Sequence, residues 1–195
     1  MSRPGPYQMQ EFQREAFRYT PYFCEENIWW LAKSLPDSGA DTQQMKVLLF
    51  TNPSESVALL NQRAAPSGRL ITWDYHLVLQ AGFPEGVYIF DLDTRLFFPS
   101  PVKDYLRNTF PPQATLPERY RAWVRSIPAD TYLRRFSSDR SHMTGVVAQS
   151  EFPDYPPILA PQAKAIDLSA YRDITRALDD GSQVERLPAL FPYTA

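Results

Sequence analysis

The chain is poor in cysteine, histidine and glycine, and it has no long apolar run. Its 195 residues include one cysteine, two histidines and seven glycines. A single cysteine excludes an intramolecular disulfide, and so few sulfur and imidazole ligands argue against a structural zinc site. No stretch approaches the roughly 18 consecutive apolar residues that a membrane span needs. If the chemistry uses a thiol and an imidazole, the thiol has one candidate and the imidazole has two.

Excess charge is also lacking, since the formal net charge is -2. Such a balance argues against a broad basic surface for nucleic acid, and the arginines at 134, 135 and 140 are interpreted as a solvated helix face. The first fifteen residues are polar and lack the apolar core of a secretory signal. We therefore expect a soluble intracellular protein that binds neither nucleic acid nor a membrane.

Proline is abundant, with nineteen residues, and aromatic residues make up 14% of the chain. Prolines cluster at 110–112 and at 150–162, where they predict extended chain lying over the surface and held by aromatic side chains. The length and the 44% hydrophobic content suit one domain. We predict a single catalytic domain over 1–195, with an N-terminal arm at 1–20 and a proline-rich extended segment at 150–162.

Hydrophobic periodicity predicts a mixed order of elements. Apolar residues at 28, 31, 32 and 35 predict a helix over Cys24–Leu35 that stops at Pro36. The predicted strands are Met45–Phe50, Ser56–Gln62, Arg69–Gln80, Glu85–Thr94 and, as the last, Arg119–Ile127. Further helices are predicted over Ser100–Phe110, Ala129–Phe136 and Asp167–Leu178. The short link Ala81–Pro84 predicts an antiparallel hairpin, and the whole order indicates an α+β fold.

Cys24 begins the first predicted helix. Free backbone N–H groups and the helix dipole at such a position stabilise a thiolate, and the same N–H groups bind an oxyanion. Glu25 and Glu26 follow directly, and their charges oppose ionisation of the thiol unless they point away. The alternative is a buried cysteine that acts as a small apolar residue.

His76 and a pair of aspartates lie on consecutive predicted strands. Alternation places Asp74 with His76 on one face, and Asp91 with Asp93 on one face of the next strand. If the strands pair as a hairpin, one of these carboxylates lies beside His76 and orients its imidazole. The alternatives are a structural histidine and aspartates that cap a turn.

A helix-start cysteine, a strand histidine and a strand carboxylate follow one another as in papain-like and transglutaminase-like thiol enzymes. The local sequences resemble one family, the protein N-terminal glutamine amidohydrolases. Four blocks carry the resemblance: YFCEENIW (22–29), TWDYHLVL (72–79), FDLDT (90–94) with Phe98–Pro99, and YLRRFSSDRSHM (132–143). The N-terminal arm and the segment after Pro161 do not match the family pattern.

The resemblance implies a papain-like or transglutaminase-like core in which a helix-start cysteine packs on an antiparallel sheet. It assigns the nucleophile to Cys24, the histidine to His76 and the orienting carboxylate to Asp91. The implied reaction converts an N-terminal glutamine of a protein or peptide to glutamate with release of ammonia, and it needs no metal and no organic cofactor. The implied setting is a monomer in the cytosol, and in the nucleus, that serves protein degradation.

Recognition of the substrate's free α-ammonium calls for a carboxylate or backbone carbonyls in a closed pocket. Asp74, Glu25 and Asp93 are the candidates, and Trp73 is a candidate pocket wall. His142 lies outside the Cys-His-Asp order, so it is interpreted as structural or pocket-forming. Two alternatives stay open: a related thiol enzyme (a peptidase, a transglutaminase-like enzyme or an N-terminal asparagine amidase), and an inactive module that binds peptides.

Overall fold

The computed structural model describes residues 12–187, and within them the fold is α+β, as predicted. The helices are α1 (Cys24–Ser34), α2 (Val102–Thr109), α3 (Ala129–Arg135) and α4 (Leu168–Arg172). The strands are β1 (Asp41–Thr51), β2 (Val57–Leu59), β3 (Ile71–Trp73), β4 (Tyr75–Phe83), β5 (Gly86–Phe90), β6 (Ser100–Pro101), β7 (Trp123–Pro128), β8 (Phe136–Ser137), β9 (Ile166–Asp167) and β10 (Gln183–Arg186).

Six strands form one antiparallel sheet in the order β10-β7-β1-β4-β5-β6. Strand β4 lies near its centre, paired with β1 through Phe50 opposite His76, and with β5 through Leu79 opposite Phe90. The second pairing confirms the predicted hairpin. It brings the chain that leaves β5 at Asp91 back beside the start of β4, where His76 lies.

The sheet is covered on both faces by apolar side chains. On one face α1 buries Ile28, Leu31, Ala32 and Leu35 against the sheet, which confirms the predicted helix face. On the other face a second buried cluster joins α2 to the sheet through Tyr105, Leu106 and Phe110. Burial of apolar surface stabilises the fold by about 25 cal/mol per Å². Packing on both faces of the sheet therefore holds α1 in one position relative to β4.

The predicted strand Arg69–Gln80 is wrong as one strand, because it breaks at Asp74. Strand β3 pairs with β2 in a separate small sheet, and β4 starts again at Tyr75 in the large sheet. At the break, the Asp74 carboxylate accepts the N–H of Tyr75, and its backbone carbonyl accepts the Thr51 hydroxyl. An aspartate side chain that bonds to nearby backbone competes in this way with the strand ladder.

Other boundaries differ from prediction as well. Strand β2 covers only the centre of Ser56–Gln62, and β7, predicted as the last strand, is followed at the sheet edge by β10. The predicted helix Asp167–Leu178 ends at Arg172. Beyond Arg172, the buried Arg125 side chain donates hydrogen bonds to the backbone carbonyls of Tyr171, Asp173 and Arg176. These carbonyls therefore accept from a side chain instead of from the backbone N–H groups of a continuing helix.

The proline-rich segment 150–162 contains the end of one short 3-10 helix and the start of another, and otherwise no regular structure. Of the predicted arm, Phe12 and Phe17 pack edge-on against Phe90. Residues 1–11 and 188–195, and with them most of the apolar tail, lie outside the described part. Among residues 12–187, no helix has the length and apolar character needed to cross a membrane.

Candidate active site

The start of α1 is built by residues on either side of Cys24. The side chain of Asn27 bonds to both the N–H and the carbonyl of Thr20, which folds the chain back just before the helix. Tyr22 then adopts a left-handed backbone conformation, with φ of 70°. This conformation is costly for a residue with a side chain and persists only where the surroundings enforce it. The apolar Phe23 at the N-cap cannot cap the helix, so the first N–H groups stay available to other partners.

His76 and Asp91 form a buried pair next to this helix start. Nε2 of His76 lies 3.1 Å from Oδ1 of Asp91, a hydrogen-bond distance at an imperfect angle. The carboxylate of Asp91 is held from three other directions: Tyr105 donates its hydroxyl over 2.8 Å, the Gln62 amide lies at 3.3 Å, and the N–H of Asp93 donates over 2.8 Å. The last bond closes a turn at the end of β5 and fixes the carboxylate toward His76.

In this pair, each charged group offsets the effect of burial on the pKa of the other. Burial acts to raise the pKa of Asp91, but the adjacent imidazole, the N–H of Asp93 and the Tyr105 hydroxyl lower it below its ordinary value. Burial likewise acts to lower the pKa of His76, yet the charges of Asp91 and Asp93 raise it above 6.5. The pair therefore stabilises the imidazolium relative to that of a free histidine. Asp93 behaves differently, because burial and the charge of Asp91 raise the pKa of its carboxyl.

Cys24 keeps some exposure to solvent through a cavity, but the protein around its sulfur raises the pKa of the thiol well above its ordinary value. Glu25 adds to this, with Oε2 at 3.8 Å from the sulfur, whereas the backbone N–H of Leu77 acts in the opposite direction. The expectation of a thiolate stabilised by the helix start is therefore wrong for the resting site. A neutral thiol is the favoured form, and it must give up its proton when it reacts.

Glu26 points away from the thiol. Its carboxylate takes two bonds from Arg140, Nε to Oε1 at 2.8 Å and Nη2 to Oε2 at 2.7 Å. The other N–H groups of Arg140 donate to the carbonyls of Pro153, Tyr155 and Pro156. All five guanidinium donors are thus used. The interpretation of Arg140 as part of a solvated helix face is wrong, because Arg140 is buried and pairs with Glu26 on the helix that carries the thiol.

A cavity of about 180 Å³ opens over the cysteine and the imidazole. It is small beside the roughly 300–1,000 Å³ of sites for drug-sized ligands, and it suits a single side chain. Of the residues predicted from the sequence, Cys24, His76, Trp73, Asp74 and Asp93 line it. Asp91 lies behind His76, and the Glu25 carboxylate lies below the lining. Residues that sequence reasoning missed also contribute to the wall: Tyr22, Met143, Val146 and Arg172.

His142 also lines this cavity, as the pocket-forming interpretation predicts. Its Nε2 lies 3.3 Å from Oε1 of Glu25 and 3.4 Å from the Tyr75 hydroxyl. Tyr75 in turn donates to Oε2 of Glu25 over 3.1 Å. The buried Glu25 carboxylate therefore connects one wall of the cavity to the start of α1.

The side chains of His76, Asp91 and Asp93 bring potential metal ligands within 4.8 Å of one another. Two of the three are already paired with each other, and Asp93 accepts the Tyr19 hydroxyl over 2.6 Å. The internal bonds account for the cluster without an ion. A larger cavity of about 600 Å³ lies between β5 and α2, but none of the predicted site residues lines it.

A single thiol, a buried imidazole paired to a carboxylate, and a cavity of side-chain size on an antiparallel sheet are typical of enzymes that transfer acyl groups through cysteine. A model of the N-terminal glutamine amidase family matches residues 19–188. The chain therefore belongs to this family of amidohydrolases, and it is an enzyme.

Individual relatives agree with this family. A protein N-terminal glutamine amidohydrolase of Arabidopsis thaliana is 32% identical over 164 residues, which cover 80% of this chain and 74% of that protein. The protein of that name from Oryza sativa subsp. indica is 34% identical over 183 residues, or 88% of this chain and 78% of the relative. One from Bos taurus is 34% identical over 139 residues, or 70% and 67%.

Proposed function

We propose that this enzyme hydrolyses the side-chain amide of N-terminal glutamine in proteins or peptides, giving glutamate and ammonia. The observation that carries the proposal is the one cavity into which Cys24 and His76 both open, with Asp91 paired behind the imidazole. Family membership supplies the substrate class, since the relatives are named for this reaction.

In the proposed first half-reaction, the sulfur of Cys24 attacks Cδ of the glutamine side chain. Because the resting thiol is neutral, His76 accepts its proton as the S–C bond forms. In this proposal the backbone N–H groups at the start of α1 donate to the oxyanion. The C–N bond then breaks, and His76 gives the proton to the leaving amide nitrogen, so that ammonia departs and a thioester remains.

In the second half-reaction, water attacks the thioester carbonyl. His76 takes a proton from this water, the C–S bond breaks, and the proton returns to the sulfur of Cys24. The product is an N-terminal glutamate and the free enzyme. Asp91 stabilises the imidazolium in both halves and holds the ring in one orientation. Every proton is carried by these residues and by water, so the proposed chemistry needs no metal or organic cofactor.

Among the predicted carboxylates, Asp74 is the best placed to bind the α-ammonium of the substrate. It lines the cavity and is about half exposed, with Oδ2 at 3.3 Å from Arg172. Asp93 also lines the cavity, but its Oδ1 is occupied by Tyr19 and its pKa is raised. Glu25 lies below the lining and is taken up by Tyr75 and His142.

The wider assignments extend the same proposal. The α1–β4 packing is consistent with a papain-like or transglutaminase-like core, and the chain forms one catalytic domain that acts as a monomer. Its setting is the cytosol, and also the nucleus.

The decisive experiment compares matched peptides that begin with Gln, Asn or acetyl-Gln, or that carry Gln internally. Ammonia release and the gain of one dalton are followed with the wild-type chain and with Cys24→Ala. We expect reaction only with the free N-terminal Gln peptide, and none with the variant. Asp74→Asn should raise KM with little change in kcat, because it weakens binding of the ammonium.

Other outcomes would change specific parts of the assignment. Cleavage of peptide bonds, or conversion of internal or acetylated Gln, would retain the thiol mechanism and contradict the substrate. Retained activity in Cys24→Ala would refute the nucleophile. A folded, reduced sample that binds the Gln peptide and never converts it would indicate a binding module instead of an enzyme.

A further inference from the structure

A second cavity adjoins the candidate active site. It has a volume of about 370 Å³, twice that of the cavity over Cys24, and its lining includes Asn52, Glu55, Ser169, Arg172, Asp173 and Thr175. None of these residues has a role in the proposed chemistry. Arg172 lines both cavities, so one side chain forms the wall between them.

The guanidinium of Arg172 links one carboxylate from each cavity. Its Nη2 lies 2.7 Å from Oε1 of Glu55 in the second cavity and 3.3 Å from Oδ2 of Asp74 in the first. The group also stacks over the Tyr75 ring at 4.8 Å, which fixes its position. Its Nε is buried and has no hydrogen-bond partner among the described residues. A buried donor of this kind calls for an acceptor, and a substrate backbone carbonyl is one.

The charges around this wall are unbalanced. Glu55, Asp74 and Asp173 carry three negative charges against two positive charges, that of Arg172 and that of Arg125, which interacts with Asp173. Glu55 and Asp173 are exposed, and each engages one carboxylate oxygen within the protein: Oε1 of Glu55 pairs with Arg172, and Oδ1 of Asp173 accepts from Thr175. A ligand in solvent can still reach the other oxygen of each carboxylate. An acidic cavity of this size, which adjoins a site that holds one side chain, matches a short run of polypeptide with neutral or basic side chains.

We propose that the second cavity is the subsite for the substrate residues that follow the N-terminal glutamine, and that it favours lysine or arginine there. This inference rests on the proposed function, because it needs a substrate chain that leaves the first cavity. With the α-ammonium at Asp74, the chain passes Arg172, whose Nε–H donates to a backbone carbonyl. The next side chains then lie beside Glu55 and Asp173.

The test uses three peptides of equal length that begin with Gln and continue with two Lys, two Ala or two Glu residues, together with the dipeptide Gln-Gly. We expect kcat/KM to fall in the order Lys, Ala, Glu, by about threefold per step, the size of an exposed charge pair. Salt should reduce the differences, because it screens exposed charges. The Glu55→Gln variant should lose most of the preference among the three peptides, and Gln-Gly, which is too short to fill the subsite, gives the rate without it.

Asp37→Asn provides the matched control, since it removes an exposed carboxylate that lines neither cavity. It should keep the full preference. Equal rates with all three peptides, or a preference unchanged in Glu55→Gln, would overturn the subsite while leaving the proposed function intact. Dissociation constants of the same peptides on Cys24→Ala test the subsite without turnover. The same order of affinity supports it and equal affinities refute it, even if no Gln peptide reacts and the proposed function fails.

Discussion

Two buried ion pairs lie near the start of α1, which carries Cys24, and they differ in what they can do. Asp91 pairs with His76, and Glu26 pairs with Arg140; each pair has less than a tenth of its side-chain surface exposed. The imidazole can gain or lose a proton near neutral pH, whereas the guanidinium stays charged. The first pair is therefore suited to move a proton, and the second only to hold chain segments together.

Glu25 and Glu26 show the same division within two adjacent residues. Both are completely buried, but Glu26 has a permanent cation while Glu25 has Tyr75, His142 and the thiol as neighbours. Burying a carboxylate costs several kcal/mol unless it is paired. Pairing with Arg140 offsets this cost for Glu26, whereas the neighbours of Glu25, next to the thiol, offset it only in part.

The largest effect should come from breaking the proton-moving pair. Asp91→Asn keeps the shape of the side chain but removes the charge that stabilises the imidazolium. We expect kcat to fall by about 10⁴, the loss seen when a triad carboxylate is neutralised. Ammonia release from a Gln peptide measures this loss, and an unfolding curve checks that the fold remains. A kcat within about tenfold of the wild type would show that Asp91 does not support the imidazole.

Breaking the other pair should affect stability instead. Arg140→Met leaves the Glu26 carboxylate buried without a cation, which costs about 3–5 kcal/mol of unfolding free energy. Arg140→Lys should restore little, because an ammonium offers three donors where five are used. Urea denaturation measures both variants. The double variant Glu26→Gln, Arg140→Met should recover part of the loss; if each single change costs under about 1 kcal/mol, the pair does not hold the helix start.

A third change tests the partly compensated carboxylate. Glu25→Gln removes a negative charge beside the sulfur, so the pKa of the Cys24 thiol should fall toward its ordinary value. Alkylation by iodoacetamide near neutral pH should then become about tenfold faster, because it proceeds through the thiolate. Glu15→Gln, which removes an exposed carboxylate, should leave the rate unchanged. A slower reaction in Glu25→Gln would mean that Glu25 supports ionisation rather than opposing it.

The smallest effect is the pH dependence of stability. The pKa of His76 is raised in the folded state, so its contribution is complete below 6.5 and is lost as the pH rises through the raised value. The pKa of Asp91 is lowered, so its contribution is complete above 3.8 and is lost as the pH falls through the lowered value. The free energy of unfolding from urea denaturation should drop on the alkaline side by on the order of 1 kcal/mol, and this drop should vanish in Asp91→Asn.

Activity should follow the opposite course over the same range. His76 accepts the thiol proton only as neutral imidazole, so kcat/KM should rise with pH through the raised pKa of His76, above 6.5. The pH at which the enzyme works best is thus one at which the pair contributes less to stability. A rate that already reaches its plateau below pH 6.5 would contradict this reading of the resting site.

The sequence predicts the frame of this site because the frame depends on local patterns. Periodicity places Cys24 at a helix start, and the short link after β4 brings Asp91 back to His76. The helix start and the hairpin follow from hydrophobic alternation and chain length, which bring either Asp91 or Asp93 to His76, and the resemblance to the family selects Asp91. The break at Asp74 could not be predicted in this way, because the surrounding sequence is rich in β-forming residues. The bond between the Asp74 carboxylate and the N–H of Tyr75, which interrupts the strand, leaves no pattern in that sequence.

The remainder of the site depends on contacts between distant residues, which leave no local pattern. Tyr105 and Gln62 hold Asp91, and Arg172 reaches Asp74 from the far end of the chain. Arg140 belongs to the Asp-Arg-Ser-His-Met run that carries part of the family resemblance, but the sequence does not show whether an arginine is buried or solvated. Its low exposure and its partner Glu26 are visible only once the chain is folded.

The bonds of Arg140 also imply an order of events in folding. They join the helix start to a segment 114 residues away, and they tie in the carbonyls of a proline-rich stretch that has little regular structure. Contacts across such long loops are costly to close early and form after local structure. Substitutions at Arg140 should then accelerate unfolding far more than they slow refolding. The contact between Arg140 and Glu26, which holds the start of α1, would be the last part of the enzyme to form and the first to break.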